Sequence, residues 1–277
     1  MVKKVIAVHD ISCFGRCSMQ VIVPVLTHFG ILACPLPTAL LSTHTGGFDN
    51  FTFLDTTDEM VKISAHWKSL DLKFDAVYSG FLANEQQIDI ISSVIHDFAT
   101  PKTLVLVDPV MGDNGEIYKT YTTQMCDKMK DLCHAANIIT PNITEACILT
   151  GRDYNLAFDQ NELLSILSDL LKLCGTSKKA VVITGIKKGN EIGAYYYDGF
   201  TENGKIGSVY APYCDKFFPG CGDILASMLL GKVLLGEKLA SALATAVNFI
   251  SETSFYTDSL GTPGREGLVF EERLQMQ

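Results

Sequence analysis

Near the C-terminal end, Phe217-Phe218-Pro219-Gly220-Cys221-Gly222-Asp223-Ile224-Leu225-Ala226-Ser227 sets two glycines one residue apart, then an aspartate, then an apolar run with helical spacing. The stretch reads as a tight turn delivering backbone N–H groups at the N-terminus of a helix. Unsatisfied donors and the positive end of the helix dipole favour an anion there. Glycine lets the backbone approach a phosphate closely and take up positive φ without strain. Asp223 in that turn is placed to take a proton from a hydroxyl beside the bound phosphate. Taken alone, Gly-x-Gly-Asp is also the pattern of an ordinary loop whose Asp caps a helix.

Other polar residues gather at comparable points. Asp10, Thr45, Ser79-Gly80, Asp108 with Asp113, Thr140 with Asn142 and Glu145, and Thr184-Gly185 each fall just past the C-terminal end of a predicted strand. In an open parallel sheet the ligand crevice lies along those ends. Asp108, Asp113 and Glu145 are hard oxygen ligands that suit Mg²⁺ carried by a nucleotide, with waters kept between protein and metal. A capping aspartate before Pro109 and a helix-start glutamate are the structural alternatives for Asp108 and Glu145. The chain has no G-x-x-x-x-G-K-[ST], no protein-kinase Gly-rich or catalytic loop, no H-E-x-x-H and no G-x-S-x-G.

The elements that must position these residues alternate. Val5 to Val8 predicts a buried strand ending at His9-Asp10, then a turn, then a helix over Ser18 to Phe29 closed by Gly30. Strands follow at Ile31 to Leu36, Asp75 to Phe81, Thr103 to Val107, Asn137 to Ile139 and Ala180 to Thr184. Helices are predicted at Thr57 to Leu70, Glu85 to Phe98, Thr122 to Cys133, a short one holding Glu145, and Gln160 to Cys174. Gly193 to Tyr197 and Gly207 to Ala211 read as an antiparallel pair, and the last helices as Asp223 to Leu235 and Ala240 to Tyr256. Val110 to Tyr118, with two glycines and few anchors, reads as a mobile flap, over about 111–121. Alternation of this kind argues an α/β fold with a mostly parallel sheet covered on both faces. No linker, repeat or low-complexity segment divides the chain, so residues 1–277 are read as one domain.

Composition narrows the function. The net charge of −9 argues against nucleic acid as the main partner, although a local glycine loop can bind a small anion in an acidic protein. The nine cysteines form no C-x-x-C pair and scatter through apolar segments, which argues for reduced, buried thiols in a cytoplasmic protein and against zinc. The short N-terminal apolar run stops at a charge, as a first strand does and a signal peptide does not, and no apolar span is long enough for a membrane.

Gly220-Cys221-Gly222-Asp223 resembles the G-[TAC]-G-D anion-hole and base motif of ribokinase-like small-molecule kinases. Asp108-Pro109-Val110-Met111-Gly112-Asp113 and Thr140-Pro141-Asn142-Ile143-Thr144-Glu145-Ala146 resemble the D-P-V-[ML]-G-D and T-P-N-x-x-E-A motifs of the vitamin B6 kinase branch. Ser42-Thr43-His44-Thr45-Gly46 is similar to that branch's S-N-H-T-G substrate loop. The motifs run in the family's order and span nearly the whole chain.

The resemblance implies a single-domain ribokinase-like sandwich and ATP-dependent phosphorylation of the 5′-hydroxymethyl group of pyridoxal, pyridoxamine or pyridoxine. It implies Asp223 as the base, and the N–H groups of Gly220, Cys221 and Gly222 as the cradle of the transferring phosphate. Asp108, Asp113, Asn142, Glu145 and Thr184 would organise Mg-ATP, with Asp108 and Glu145 reaching Mg²⁺ through water; a monovalent cation is left open. Asp10, His44 and Thr45 would meet the pyridine ring's substituents and Phe81 its face, and the flap with Tyr118 would close over the site. Relatives are commonly homodimers. Asp10 stands where many relatives have Ser, and an anionic Asp10 would favour the ammonium of pyridoxamine over the aldehyde of pyridoxal. Cys221 stands in place of the usual Thr. The rival readings are a hydroxymethylpyrimidine kinase on the same fold, against which Asp223 and His44-Thr45-Gly46 speak, and a non-catalytic vitamin-binding protein.

Overall fold

The structure, a computed structural model, describes residues 1–155 and 158–275. The chain enters at β1 (Lys4–Val8) and continues through β2 (Ile11–Ser12), α1 (Met19–His28), β3 (Leu32–Pro35), β4 (Ala39–Leu41) and β5 (Phe53–Asp55). Then come α2 (Thr57–Ser69), β6 (Ala76–Ser79), α3 (Glu85–Phe98), β7 (Leu104–Val107), β8 (Gly112–Asp113), β9 (Glu116–Ile117), α4 (Thr123–Ala135), β10 (Ile138–Ile139) and α5 (Ile143–Thr150). The last part holds α6 (Gln160–Leu173), β11 (Ala180–Lys188), β12 (Glu191–Asp198), β13 (Lys205–Pro212), α7 (Cys221–Leu234), α8 (Leu239–Ser259) and α9 (Glu271–Leu274).

The main sheet runs β13-β12-β11-β10-β7-β6-β1-β3. From β3 to β11 the neighbours are parallel, and β11, β12 and β13 form an antiparallel meander. Val5 to Val8 are fully buried with no polar alternation, as a strand covered on both faces requires. Successive residues serve opposite cores. Val5 and Ala7 pack with α1, α7 and α8, whereas Ile6 and Val8 pack with α3, α4, α5 and α6. From β1 the chain goes outward to β3 and then returns to the other side at β6. The loops after β1 and β6 therefore diverge and leave a crevice above the strand ends.

Several sequence expectations need correction. The structure adds a three-stranded sheet, β2-β4-β5, that has no sequence signal of its own: its strands are two or three residues long and exist only through pairing with one another. β11 does not stop at Thr184; it passes through a bulge between Thr184 and Ile186 and continues to Lys188. The flap is not a loop with few anchors. It is the hairpin β8–β9 around Asn114-Gly115, whose φ of 52° and 82° fit a type I′ turn. The Asn142 side-chain amide donates to the Gly112 carbonyl at 2.8 Å, and the Gly115 N–H donates to the Thr144 hydroxyl at 3.0 Å, so the hairpin is fastened to the start of α5. Among the described residues no helix is long and apolar enough to cross a membrane.

Candidate active site

One cavity of about 530 Å³ opens above the C-terminal ends of the parallel strands, and every site residue named from the sequence lines it. At its floor, α7 starts at Cys221 behind Gly220, which has a φ of 83° and provides no side-chain cap. A Cβ at Gly220 would lie 2.1 Å from the Arg16 carbonyl oxygen, so the loop entering α1 is pressed directly onto the turn. The first N–H groups of α7 are thus left facing the cavity without a side-chain acceptor, as an anion site needs. Beside Gly222 the nearest atom to an added Cβ is Asp108 Oδ2 at 3.7 Å, which puts that carboxylate across from the turn.

Asp223 lies in the first turn of α7, and its Oδ2 accepts the Ser18 N–H at 2.7 Å. Burial pushes its carboxyl up to about 7, against the lowering effect of the Ser18 N–H, and the nearby Asp10 adds to the rise. Such a group takes a proton readily near neutral pH. The thiol of Cys221 is pushed up to about 12, by burial first and then by Asp223, so it is an inert neighbour and no nucleophile.

Asp108 follows β7, and its Oδ1 accepts the Thr140 hydroxyl at 3.1 Å. Burial raises its carboxyl and Asp223 raises it further. Glu145 is also raised by burial and by Asp108. Its two oxygens accept the Met111 N–H at 3.1 Å and the Asn142 N–H at 2.8 Å, while the Asn142 side chain accepts the Glu145 N–H at 2.9 Å. The helix-start role of Glu145 is therefore real: it closes a capping box with Asn142 and braces the segment leading into the flap. Asp113, at the hairpin, accepts the Asn114 N–H at 2.8 Å. Thr184 stands at the bulge of β11, its N–H donating to the Pro141 carbonyl at 2.9 Å.

On the other side of Ser18 from Asp223, Asp10 is buried, with its oxygens accepting the hydroxyls of Ser18 at 2.5 Å and Ser12 at 2.8 Å. Burial raises its carboxyl although both serines act the other way. The charge expected to select an ammonium is thus largely engaged within the protein. His44 has both ring nitrogens occupied, Nδ1 accepting the Gly46 N–H at 3.1 Å and Nε2 lying 2.7 Å from the Arg265 carbonyl oxygen. The imidazole therefore shapes the loop that presents Thr45. Phe81, just after β6, and Tyr118, just after β9, also line the cavity.

Four residues in or under this site were missed from the sequence. Ser18 reads only as the start of a helix, and Lys187 lies in the part of β11 not recognised as strand. His9 and Tyr78 sit under the floor, both wholly buried; the one reads as a strand end and the other as an interior strand position. Among the described residues no three His, Cys, Asp or Glu side chains converge on a point as a protein-built metal cage would. The Asp108 carboxylate beside an anion-binding turn, with the buried Glu145 and the half-buried Asp113 lining the same cavity, does fit a divalent cation that arrives with phosphate ligands and keeps its waters.

A helix N-terminus opened by a glycine turn, a half-buried aspartate in its first turn and a parallel-sheet crevice above it define a ribokinase-like small-molecule kinase. Within that class the chain belongs to the phosphomethylpyrimidine kinase family, which it matches over residues 23–264. It is similar to a candidate phosphomethylpyrimidine kinase of Bacteroides thetaiotaomicron solved with pyridoxal, at 38% identity and a TM-score of 0.94, covering 100% of this chain and 96% of that one. It is also similar to the pyridoxal kinase of Lactobacillus plantarum, at 30% identity and a TM-score of 0.91, over 100% and 96% of the two chains. A candidate pyridoxal kinase of Saccharomyces cerevisiae is 28% identical over 218 residues, a stretch that makes up 75% of this chain and 66% of the yeast protein.

Proposed function

We propose that this chain is an ATP-dependent kinase that phosphorylates the 5′-hydroxymethyl group of a vitamin B6 vitamer. The observation that carries the reading is Asp223: a half-buried carboxyl raised to about 7, pinned by the Ser18 N–H, in the first turn of an uncapped helix at the cavity. In the reaction Asp223 takes the proton of the hydroxymethyl group, whose oxygen attacks the γ-phosphorus of ATP. The bond from that phosphorus to the bridging oxygen breaks, and ADP leaves with the electron pair. The N–H groups of Gly220, Cys221 and Gly222 stabilise the charge on the transferring group, at an uncapped helix start that needs no reorganisation to do so.

Asp108 and Glu145 would hold Mg²⁺ through water. The ion supplies charge neutralisation across the phosphates. Asn142 and Thr144 tether the flap hairpin at the nucleotide end, and Tyr118 at its base closes the cavity against water. Thr45 and Phe81 are assigned to the pyridine ring. A homodimeric assembly and a cytoplasmic location belong to the same proposal, to be read by light scattering and cell fractionation.

ADP release from Mg-ATP, measured with pyridoxal, pyridoxamine, pyridoxine, hydroxymethylpyrimidine and ribose, tests the reading. Turnover on the pyridines with a 5′-phosphate product supports it. Turnover on the pyrimidine alone moves the protein to the chemistry for which its family is named.

A further inference from the structure

His9 is a wholly buried histidine directly behind the base. It follows β1, has no accessible surface, and neither ring nitrogen has a hydrogen-bond partner among the described residues. A buried imidazole with two idle nitrogens is costly unless one of them serves a group nearby. The polar group it faces is Asp223: Nδ1 of His9 lies 3.9 Å from Oδ1, the oxygen that Ser18 does not hold.

The ring itself has little freedom. Tyr78 packs edge-on against it with centroids 4.4 Å apart. On another side is the backbone of Gly80, where an added Cβ would lie 2.2 Å from Cε1 of the imidazole. Burial holds the imidazole neutral, its pKa lowered to about 3. It therefore brings a hydrogen-bond donor to the carboxylate without a positive charge that would quench the base.

We propose that His9 is a positioning residue for Asp223, its Nδ1–H taking Oδ1 while the Ser18 N–H takes Oδ2, so that the carboxylate plane is fixed from two sides. The gap of 3.9 Å exceeds a hydrogen bond, and because the imidazole is wedged, the carboxylate is the partner that moves. It closes on Nδ1 when the site fills and presents its remaining lone pair to the substrate hydroxyl. This rests on Asp223 being the base.

The test compares His9→Leu, which keeps volume and loses the donor, with His9→Asn, whose side-chain amide nitrogen stands where Nδ1 does. Asp223→Asn is run beside them, and each variant is checked by thermal melting. The expected result is a fall in kcat of about 10- to 100-fold in His9→Leu, the scale of a misplaced catalytic group, with KM for the vitamer within about threefold of the parent. His9→Asn recovers most of that kcat. Parental kcat in His9→Leu overturns the proposal, as does a fall that His9→Asn fails to restore at an equal melting temperature. If Asp223→Asn keeps its turnover, the base assignment itself falls and takes the role of His9 with it. If Asp223→Asn is inactive while His9→Leu turns over normally, only the His9 proposal is lost.

Discussion

Ser18 and Asp223 stand 205 residues apart in the chain, yet the backbone N–H of Ser18 donates to Oδ2 of Asp223 at 2.7 Å while its hydroxyl donates to Asp10 at 2.5 Å. Ser18 adopts a φ of 50°, a left-handed backbone that costs a non-glycine residue on the order of 1 kcal/mol or more. That strain turns the N–H and the hydroxyl toward two different carboxylates. The base and the neighbouring acid, Asp10, are thereby both set by one residue, in the loop that also closes on Gly220.

The contact of that loop with Gly220 makes the glycine turn intolerant of any side chain. Gly220→Ala would place a Cβ 2.1 Å from the Arg16 carbonyl oxygen at a φ of 83°. We expect kcat to fall at least about 100-fold, since displaced helix-start donors no longer meet the transferring charge. Chemical unfolding should show a loss of roughly 1–3 kcal/mol. An alanine variant with parental kinetics would contradict the anion role of the turn.

The raised carboxyl of Asp223 predicts two pH effects. Activity needs the ionised base, so kcat/KM should rise with pH through about 7 and level off above it. Stability runs the other way. The folded-state pKa lies above the ordinary value of 3.8, so this group's contribution is fully present below about pH 4 and is lost as pH rises through 7. Asp223→Asn stays neutral throughout, and should gain on the parent by roughly 2–4 kcal/mol between pH 5 and pH 8, read by urea titration at each pH.

Glu145 should matter to folding as much as to catalysis. Glu145→Ala leaves the buried N–H of Met111 and the half-buried N–H of Asn142 without their acceptor. The expected cost is about 1–3 kcal/mol, together with a higher Mg²⁺ requirement for turnover. A variant as stable as the parent would show that the capping box is redundant.

Thr144→Val removes the hydroxyl that receives the Gly115 N–H and frees one anchor of the flap. KM for ATP should rise about 3- to 10-fold, with faster proteolytic cleavage near Asn114 and little change in KM for the vitamer. Equal cleavage rates would show that Asn142 alone fastens the hairpin.

Local signals carried much of the fold. The buried strands at Val5–Val8 and Leu104–Val107 were legible as apolar runs, and α3 was placed at both ends, Glu85 and Phe98, with Asn84 capping its start. The glycine-led start of α7 was visible from spacing alone. What stayed hidden depends on distant partners. The two- and three-residue strands β2, β4 and β5 have no periodicity of their own, and Thr184-Gly185 looked like a strand end because a bulge and a stop share the same residues. The flap looked free because its anchors, Asn142 and Thr144, belong to another element. The site's residues were named individually in the sequence, but their partners were not. Nothing local distinguishes a His9 that faces Asp223 from a strand-end histidine, and nothing near Asp223 in the chain points to Ser18.

The most direct test of the central claim is the rate of 5′-phosphate formation by Asp223→Asn under single-turnover conditions, with vitamer and Mg-ATP binding measured separately by calorimetry. The account predicts that both ligands bind within a few-fold of the parental affinities while the chemical step slows by about 1,000-fold or more. A chemical step close to the parental rate, with binding intact, would contradict the assignment of Asp223 as the base.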